Sequence, residues 1–332
     1  MKAFIVDKYG KDRALRAGEV PDPVVGDHDV LVEIRAAGVN PLDAKIKAGE
    51  FKLVLPYKPP FILGNDLAGV VVRVGRAVRR FAPGDGVYAR PDKDRIGTFA
   101  QLIAVNEDDL AIKPAALSMA EAAALPLVAL TAWQALVEKA DVQPGQKVLI
   151  HAGSGGVGSI AIQLAKHLGA HVATTTSTNN LDWVRDLGAD LVIDYRTQDF
   201  ATLVRDYDLV LDSLGGETLE KSLQLVRPGG LVIGIGGPPD PDFARQLGKP
   251  LLRPVMGLLS RKVRSRARRN KVTYSFLFVR ADGAQLSEIT ALVDAGAIRP
   301  VLDHVFDFDD TVAALDYVDT GRAKGKVVVT MA

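Results

Sequence analysis

Residues 148–158 read VLIHAGSGGVG, and the stretch that follows reads SIAIQLAKHL. An apolar run thus ends directly in Gly153-Ser154-Gly155-Gly156-Val157-Gly158, and that turn opens an amphipathic helix. Strand, G-x-G-x-x-G turn and helix in immediate succession form a dinucleotide-binding fingerprint, whereas the glycine pattern alone says little. Each glycine has its own reason. Gly153 can make the tight turn, Gly155 lets the backbone approach a pyrophosphate, and Gly158 lets helix and strand pack closely. The N–H groups of Gly155, Gly156 and Val157 at the helix start then face the phosphates, aided by the helix dipole.

The neighbouring texture agrees with this reading. Beyond the turn come HVATTT, the helix LDWVRDLG, then LVIDY, DLVLDS, a helix near 217–226, LVIGIG and YSFLFV. Apolar strands separated by helices imply a parallel sheet covered on both faces. The expected fold class is α/β, a Rossmann doubly wound parallel sheet over 126–279. Residues 1–125 differ: VLVEIRAAGVN, GVVVRVG and GDGVYA are short strands between Gly/Pro turns, a β-rich domain. From 280 to 332 the chain returns with a helix (QLSEITALVDAG), a strand-like stretch, a short helix and the strand KVVVT.

Composition removes several chemistries. A chain of 332 residues without cysteine has no disulfide, thiolate zinc site, iron–sulfur cluster or cysteine nucleophile. Lys plus Arg is 41 against 40 for Asp plus Glu, so there is no global pull toward nucleic acid. The N-terminal MKAFIVDKYG lacks the apolar stretch of a signal peptide, and a cytoplasmic location is expected. The histidines at 28, 151, 167, 171 and 304 show no metal spacing, and His151 beside the turn reads as a packed strand residue.

The end of the second strand bears on cofactor choice, because a carboxylate there selects NAD through the ribose 2′-hydroxyl. This chain has Thr174-Thr175-Thr176-Ser177-Thr178-Asn179-Asn180, with Asp182 already in the helix. Hydroxyl and amide groups can donate to a 2′-phosphate, which favours NADPH. No Lys or Arg stands in the turn; Arg185 follows one helix turn on, and Tyr195 ends the third strand. Ser177 and Asn180 have a second, compatible reading as helix caps. Gly236, in the loop after the fifth strand, and Phe278 and Val279, ending the sixth, lie at the carboxyl edge where ligands bind in open sheets.

The chain resembles the medium-chain dehydrogenase/reductase superfamily, in its zinc-free quinone oxidoreductase (zeta-crystallin-like) and alkenal/enone reductase branch. The resemblance runs along the whole chain, through GVNPLD (38–43), LGNDLAGV (63–70), GDGVY (84–88), GTFA (97–100), Leu125-Pro126, LTA (130–132), HAGSGGVG (151–158), LGAD (187–190) and GKV (325–327). It implies a GroES-like substrate domain from 1–125 and 280–332, with the cofactor between that domain and the Rossmann domain. It implies that Asn40 lies near the nicotinamide ribose with Asp43 as a polar partner, Asp43 having a second reading as a helix cap. Thr131 would contact the nicotinamide end. Ser177, Asn180 and Tyr195 would occupy the 2′-phosphate region, where several relatives carry Lys in place of Asn180. Arg322, before Gly325-Lys326, could supply the missing charge, and Thr176 and Lys326 count among the implied cofactor contacts. Asn40 stands where zinc-dependent members place a cysteine ligand, so no metal is expected.

The implied reaction is NADPH-dependent reduction of a quinone or of the C=C bond of an α,β-unsaturated carbonyl. Tyr57, in LPYKPP, is a candidate proton donor, with a surface-loop reading beside it and solvent as the alternative donor. A cofactor-binding scaffold on membrane or RNA is the competing class, and an alcohol dehydrogenase a third. Residues 238–271 depart from the enone reductases. Apolar Leu251-Leu252, Val255-Met256 and Leu258-Leu259 precede 261–271, where seven of eleven residues are basic. The favoured reading is a solvated helix at a cleft rim; the other is a weak membrane-surface contact. Without interleaved aromatics, nucleic acid is not expected. A homodimer through strand 274–279 completes the expectations.

Overall fold

A computed structural model describes residues 1–52 and 54–331, so the last residue of the C-terminal segment lies outside it. The chain divides into two compact units, residues 131–279 and residues 1–130 together with 280–332.

The first unit holds a six-stranded, all-parallel sheet. Its strands are β1 (Lys147–Ile150), β2 (His171–Thr176), β3 (Leu191–Asp194), β4 (Tyr207–Asp212), β5 (Val226–Gly234) and β6 (Thr273–Phe276). Their spatial order is β3-β2-β1-β4-β5-β6, the doubly wound arrangement of a Rossmann fold. The order reverses beside β1, so the carboxyl end of β1 is the topological switch point where such sheets place their ligands. Helix α1 (Gly156–His167) starts there, and α2 (Gly216–Ser222) follows β4. The helix expected near 217–226 stops at Ser222, because Val226 already pairs with Tyr207 in the sheet. Val148, Leu149 and Ile150 are fully buried, as a central strand covered on both faces requires.

The second unit is built around the long strand Asp29–Val39. It pairs antiparallel with Leu67–Val74, with Leu102–Asn106 and, near its end, with the C-terminal strand Lys326–Thr330. That last pairing, with Val327 opposite Val39, is what returns residues 280–331 to this unit. A bidentate ion pair from Arg95 to Asp29, at 2.6 and 2.8 Å, secures the strand's other end. The core is mainly aliphatic, with Val30, Val32, Ile34, Leu63, Leu67 and Leu110 all at 1% exposure or less, and Phe4 and Phe99 buried among them.

Residues 238–271 do not form one extended helix. They break into Pro241–Gln246, α3 (Arg253–Leu259) and α4 (Arg261–Arg269). Gly248 at φ +66° ends the first, prolines 250 and 254 restart the chain, and buried Ser260 turns back to bond the Met256 carbonyl at 2.7 Å. Strand β6 ends at Phe276, short of the expected 279. Among the described residues no helix is long and apolar enough to cross a membrane.

Candidate functional site

The glycine turn is a backbone device, and its parts divide differently from the sequence expectation. The left-handed residue that makes the turn tight is Ala152, at φ 55°, not Gly153. Gly153 is needed for space: a Cβ there would lie 2.2 Å from Thr174 Oγ1 on β2. Gly158 is needed because its Cβ would lie 2.2 Å from the Ala152 carbonyl oxygen, so α1 could not sit so close to β1. A Cβ on Gly155 would meet only the Ala152 oxygen, at 3.3 Å, which leaves that side open to a ligand. The Gly155 N–H is already donated to Ala152 O at 2.9 Å. The N–H groups of Gly156 and Val157 have no acceptor among the described residues, and they sit at the positive end of a 12-residue helix. Two polar atoms buried at the ends of the strands that flank β1 are also without partners among the described residues, Thr176 Oγ1 on β2 and Asp212 Oδ2 on β4. Burial raises the Asp212 carboxyl to about 6, against the N–H donated by Gly215. An open glycine cradle, free donors and orphaned hydroxyl and carboxylate groups at one sheet edge fit a dinucleotide.

Beyond β2, Ser177 and Asn180 hold each other. The Asn180 amide donates to Ser177 Oγ at 3.0 Å and accepts from the Trp183 indole at 3.1 Å. Neither side chain caps a helix through a hydrogen bond. Ser177 Oγ keeps its own proton to give. Tyr195 is exposed, and its N–H bonds Thr176 O, which holds it beside the end of β2. Sequence reading missed one carboxylate here, Asp194, because it ends β3, in register with Thr176. Its oxygens are taken by Thr178 Oγ1 at 2.6 Å and the Arg196 N–H at 3.0 Å. These bonds, the Thr178 hydroxyl first, hold its carboxyl below the usual range.

His151 is a core residue. Its Nε2 meets Ser222 Oγ at 2.9 Å and its Nδ1 meets Thr175 Oγ1 at 3.1 Å. Ser222 spends its proton on Thr218 O, so the network assigns the hydrogen to Nε2. Burial lowers its pKa to about 4. Gly236 follows β5, where a Cβ would strike Ser213 O at 2.6 Å. Val279 is buried, and Phe278 packs on Phe243 with ring centres 5.4 Å apart. Thr131 is buried in the helix Pro126–Trp133.

The second unit holds a polar cluster sealed from solvent. Asn40, Asp43, Asn65, Asp66 and Lys326 come from three separate segments and are each at most 5% exposed. The register that sets Val327 opposite Val39 brings Lys326 to Asn40. The Lys326 ammonium donates to Asn40 Oδ1 at 2.5 Å, to Asp66 Oδ2 at 3.1 Å and to Val39 O at 3.3 Å. Asp66 also accepts from the Asn40 amide at 2.9 Å and from the Leu127 N–H at 2.7 Å. Gly38 makes the room, since a Cβ there would lie 2.8 Å from Asp66 Oδ2. Asp43 accepts from the Asn40 N–H at 2.8 Å, closing the start of helix Pro41–Ala48, and from the Asn65 amide at 2.7 Å. Burial pushes the Asp43 carboxyl up to about 7, and the charge of Asp66 adds to that push.

Lys326, read from the sequence as a cofactor contact, therefore spends its charge inside this cluster. Arg322 lies on the surface after the helix Thr311–Asp319. Tyr57 gives its proton to Lys93 O at 2.6 Å and stacks on Phe61, and burial raises its pKa. Asn65 and Asp66, quoted only as part of LGNDLAGV, are the cluster members that sequence reading did not single out. Among the described residues no group of three His, Cys, Asp or Glu is placed to hold a metal ion.

Residues 26–115 match the family described as alcohol dehydrogenase GroES-like domain, and residues 187–329 match the family described as zinc-binding dehydrogenase. The chain is 35% identical to the zebrafish (Danio rerio) mitochondrial NAD(P)H oxidoreductase RTN4IP1, over all of this chain and 91% of that protein. It is 34% identical to the chloroplastic NADPH-dependent alkenal/one oxidoreductase of Arabidopsis thaliana, over 99% of this chain and 79% of that one. The quinone oxidoreductase from Coxiella burnetii superimposes with a TM-score of 0.88 at 29% identity, over 100% of this chain and 99% of that one.

Proposed function

Because the chain belongs to the medium-chain dehydrogenase/reductase superfamily, on its quinone and alkenal/enone reductase branch, we propose that it is an NADPH-dependent reductase. Its substrate on this reading is a quinone or the C=C bond of an α,β-unsaturated carbonyl. The observation that carries the reading is the backbone cradle at the switch point, with unclaimed N–H groups on Gly156 and Val157. Reduced nicotinamide adenine dinucleotide phosphate, when bound there, supplies the hydride. The helix start holds the pyrophosphate. Ser177 Oγ donates to the 2′-phosphate, with Asn180 holding its lone pair and Tyr195 exposed alongside. Asp194, the carboxylate beside Thr176, is engaged by Thr178 and Arg196 and does not compete for a ribose hydroxyl.

In the other unit, Asn40 has its amide oxygen fixed by Lys326 and its amide nitrogen by Asp66, which suits a group that positions the nicotinamide ribose. Thr131 serves the nicotinamide end. The Tyr57 proton is directed at Lys93 O and its pKa is raised, so solvent protonates the product enolate. Strand β6 is the sheet edge, and on this reading it pairs with its copy in a homodimer; a monomer by sedimentation equilibrium would reject that assembly.

The test is to follow NADPH and NADH absorbance with a panel of short enones, alkenals and quinones. NADPH oxidation with at least one class is expected. Cofactor bound without turnover on any of them would replace the reductase with a cofactor-binding scaffold.

A further inference from the structure

The region 250–271 carries charge and apolar surface that the proposed reaction does not use. Leu251, Val255, Leu258 and Leu259 are 91%, 48%, 69% and 57% exposed. They fall within one side of the turn at Pro250–Leu252 and of α3, while Met256 on the other side is buried. Isolated exposed aliphatic side chains need no explanation, but four on one short face form a patch.

Helix α4 adds the charge in an ordered way. Val263 and Ala267 face the core. Lys262, at 2.6 Å, and Arg266 grip Glu220 on α2 and anchor that flank. Arg261, Arg264 and Arg268 share the opposite flank, and among the described residues none has a carboxylate partner. Arg261 follows Leu259 by two residues, so the free arginines begin where the aliphatic patch ends.

We infer that this face docks on an anionic lipid bilayer, the leucines entering the headgroup–acyl boundary and the arginines pairing with lipid phosphates and carboxylates. Aliphatic side chains beside unpaired guanidinium groups match the two layers of such a surface. A second copy of the chain would bring like charge against Arg261, Arg264 and Arg268. Nucleic acid would leave the leucines in water, and no aromatic side chain stands between 244 and 273 for bases to stack on. Net charge of +1 over the whole chain makes the attraction local to this face. A reductase held there would meet substrates dissolved in the bilayer, but the docking itself does not depend on the proposed reaction.

The experiment is vesicle flotation with phosphatidylcholine alone and with phosphatidylcholine containing phosphatidylserine, at low and moderate salt. The full chain is expected to float with the anionic vesicles at low salt, less at moderate salt, and not with neutral ones. The variant R261E/R264E/R268E should lose binding at least tenfold, since each basic residue near such a surface is worth about fivefold in partitioning. L251S/L258S/L259S should also lose binding, with no change in thermal midpoint or NADPH affinity for either variant. Three results would overturn the inference: no flotation at low salt, equal flotation of the variants, or an L251S/L258S/L259S variant that only converts a dimer to a monomer. Retention of single-stranded RNA in preference to anionic vesicles would overturn it too.

Discussion

The two polar sites of this molecule are made in opposite ways. The turn at 152–158 is backbone, drawn from consecutive residues, and its chemistry lies in missing side chains. The cluster of Asn40, Asp43, Asn65, Asp66 and Lys326 is side chain, drawn from segments up to 286 residues apart, and almost every donor in it is spent. A backbone site tolerates many neighbours but no added Cβ. A side-chain site tolerates new backbone packing but no unpaired charge.

The largest expected effect on cofactor binding follows from that contrast. Gly158→Ala puts a Cβ 2.2 Å from Ala152 O, so α1 must move away from β1. Overpacking of this kind costs about 1–3 kcal/mol, and NADPH affinity should fall roughly 100-fold in a fluorescence titration. Gly155→Ala sharpens the point: its Cβ meets protein only at 3.3 Å, so affinity should drop while the thermal midpoint holds.

In the side-chain cluster the order of losses reverses, with stability first. Asp66→Asn leaves the Lys326 ammonium buried without its counter-charge and should cost about 3–5 kcal/mol in urea unfolding. Asp66→Asn with Lys326→Met should cost less than either change alone, because no charge is then stranded.

Asp43 and His151, one in each unit, respond to pH with opposite signs. Asp43 titrates near 7 when folded against 3.8 as a free group, so the native state holds the extra proton. Its stabilising contribution is full below about pH 4 and is lost as pH rises through about 7, worth roughly 2–4 kcal/mol. Asp43→Asn should flatten that slope, since a flipped Asn65 amide can offer its partnerless Oδ1 to the new side chain. His151, lowered to about 4, acts the other way: its contribution is present above about pH 6.5 and is lost as pH falls through about 4. Urea midpoints measured across that range for wild type, Asp43→Asn and His151→Gln separate the two.

The smallest expected effect is on cofactor choice. Ser177→Ala removes one donor to a charged phosphate, worth about 1.5–3 kcal/mol. The ratio of NADPH to NADH affinity should fall by roughly tenfold or more, without a change in stability.

What the sequence disclosed follows the same division. Consecutive residues carried the strand–turn–helix unit, so GSGGVG placed the switch point of the sheet before any contact was known. Local patterning could not say that Ala152 takes the left-handed conformation, because glycine at 153 already offers that freedom. Nor could it place Lys326. As part of GKV it read as a cofactor contact, whereas antiparallel pairing of Val327 with Val39 turns it toward Asn40 and Asp66. Asp194 escaped notice for the same reason, since it reaches Thr176 only through parallel register. Tyr57 stood out as an aromatic in a proline loop, but its hydroxyl direction depends on Lys93, 36 residues away.

Equilibrium binding of NADPH and NADH to the wild-type chain, read by nicotinamide fluorescence, tests the central claim most directly. Both are expected to bind at the glycine turn, NADPH the tighter, and both to be lost in Gly158→Ala. Binding of NADH as tight as NADPH would contradict the 2′-phosphate assignment to Ser177, and binding that survives Gly158→Ala would contradict the cradle itself.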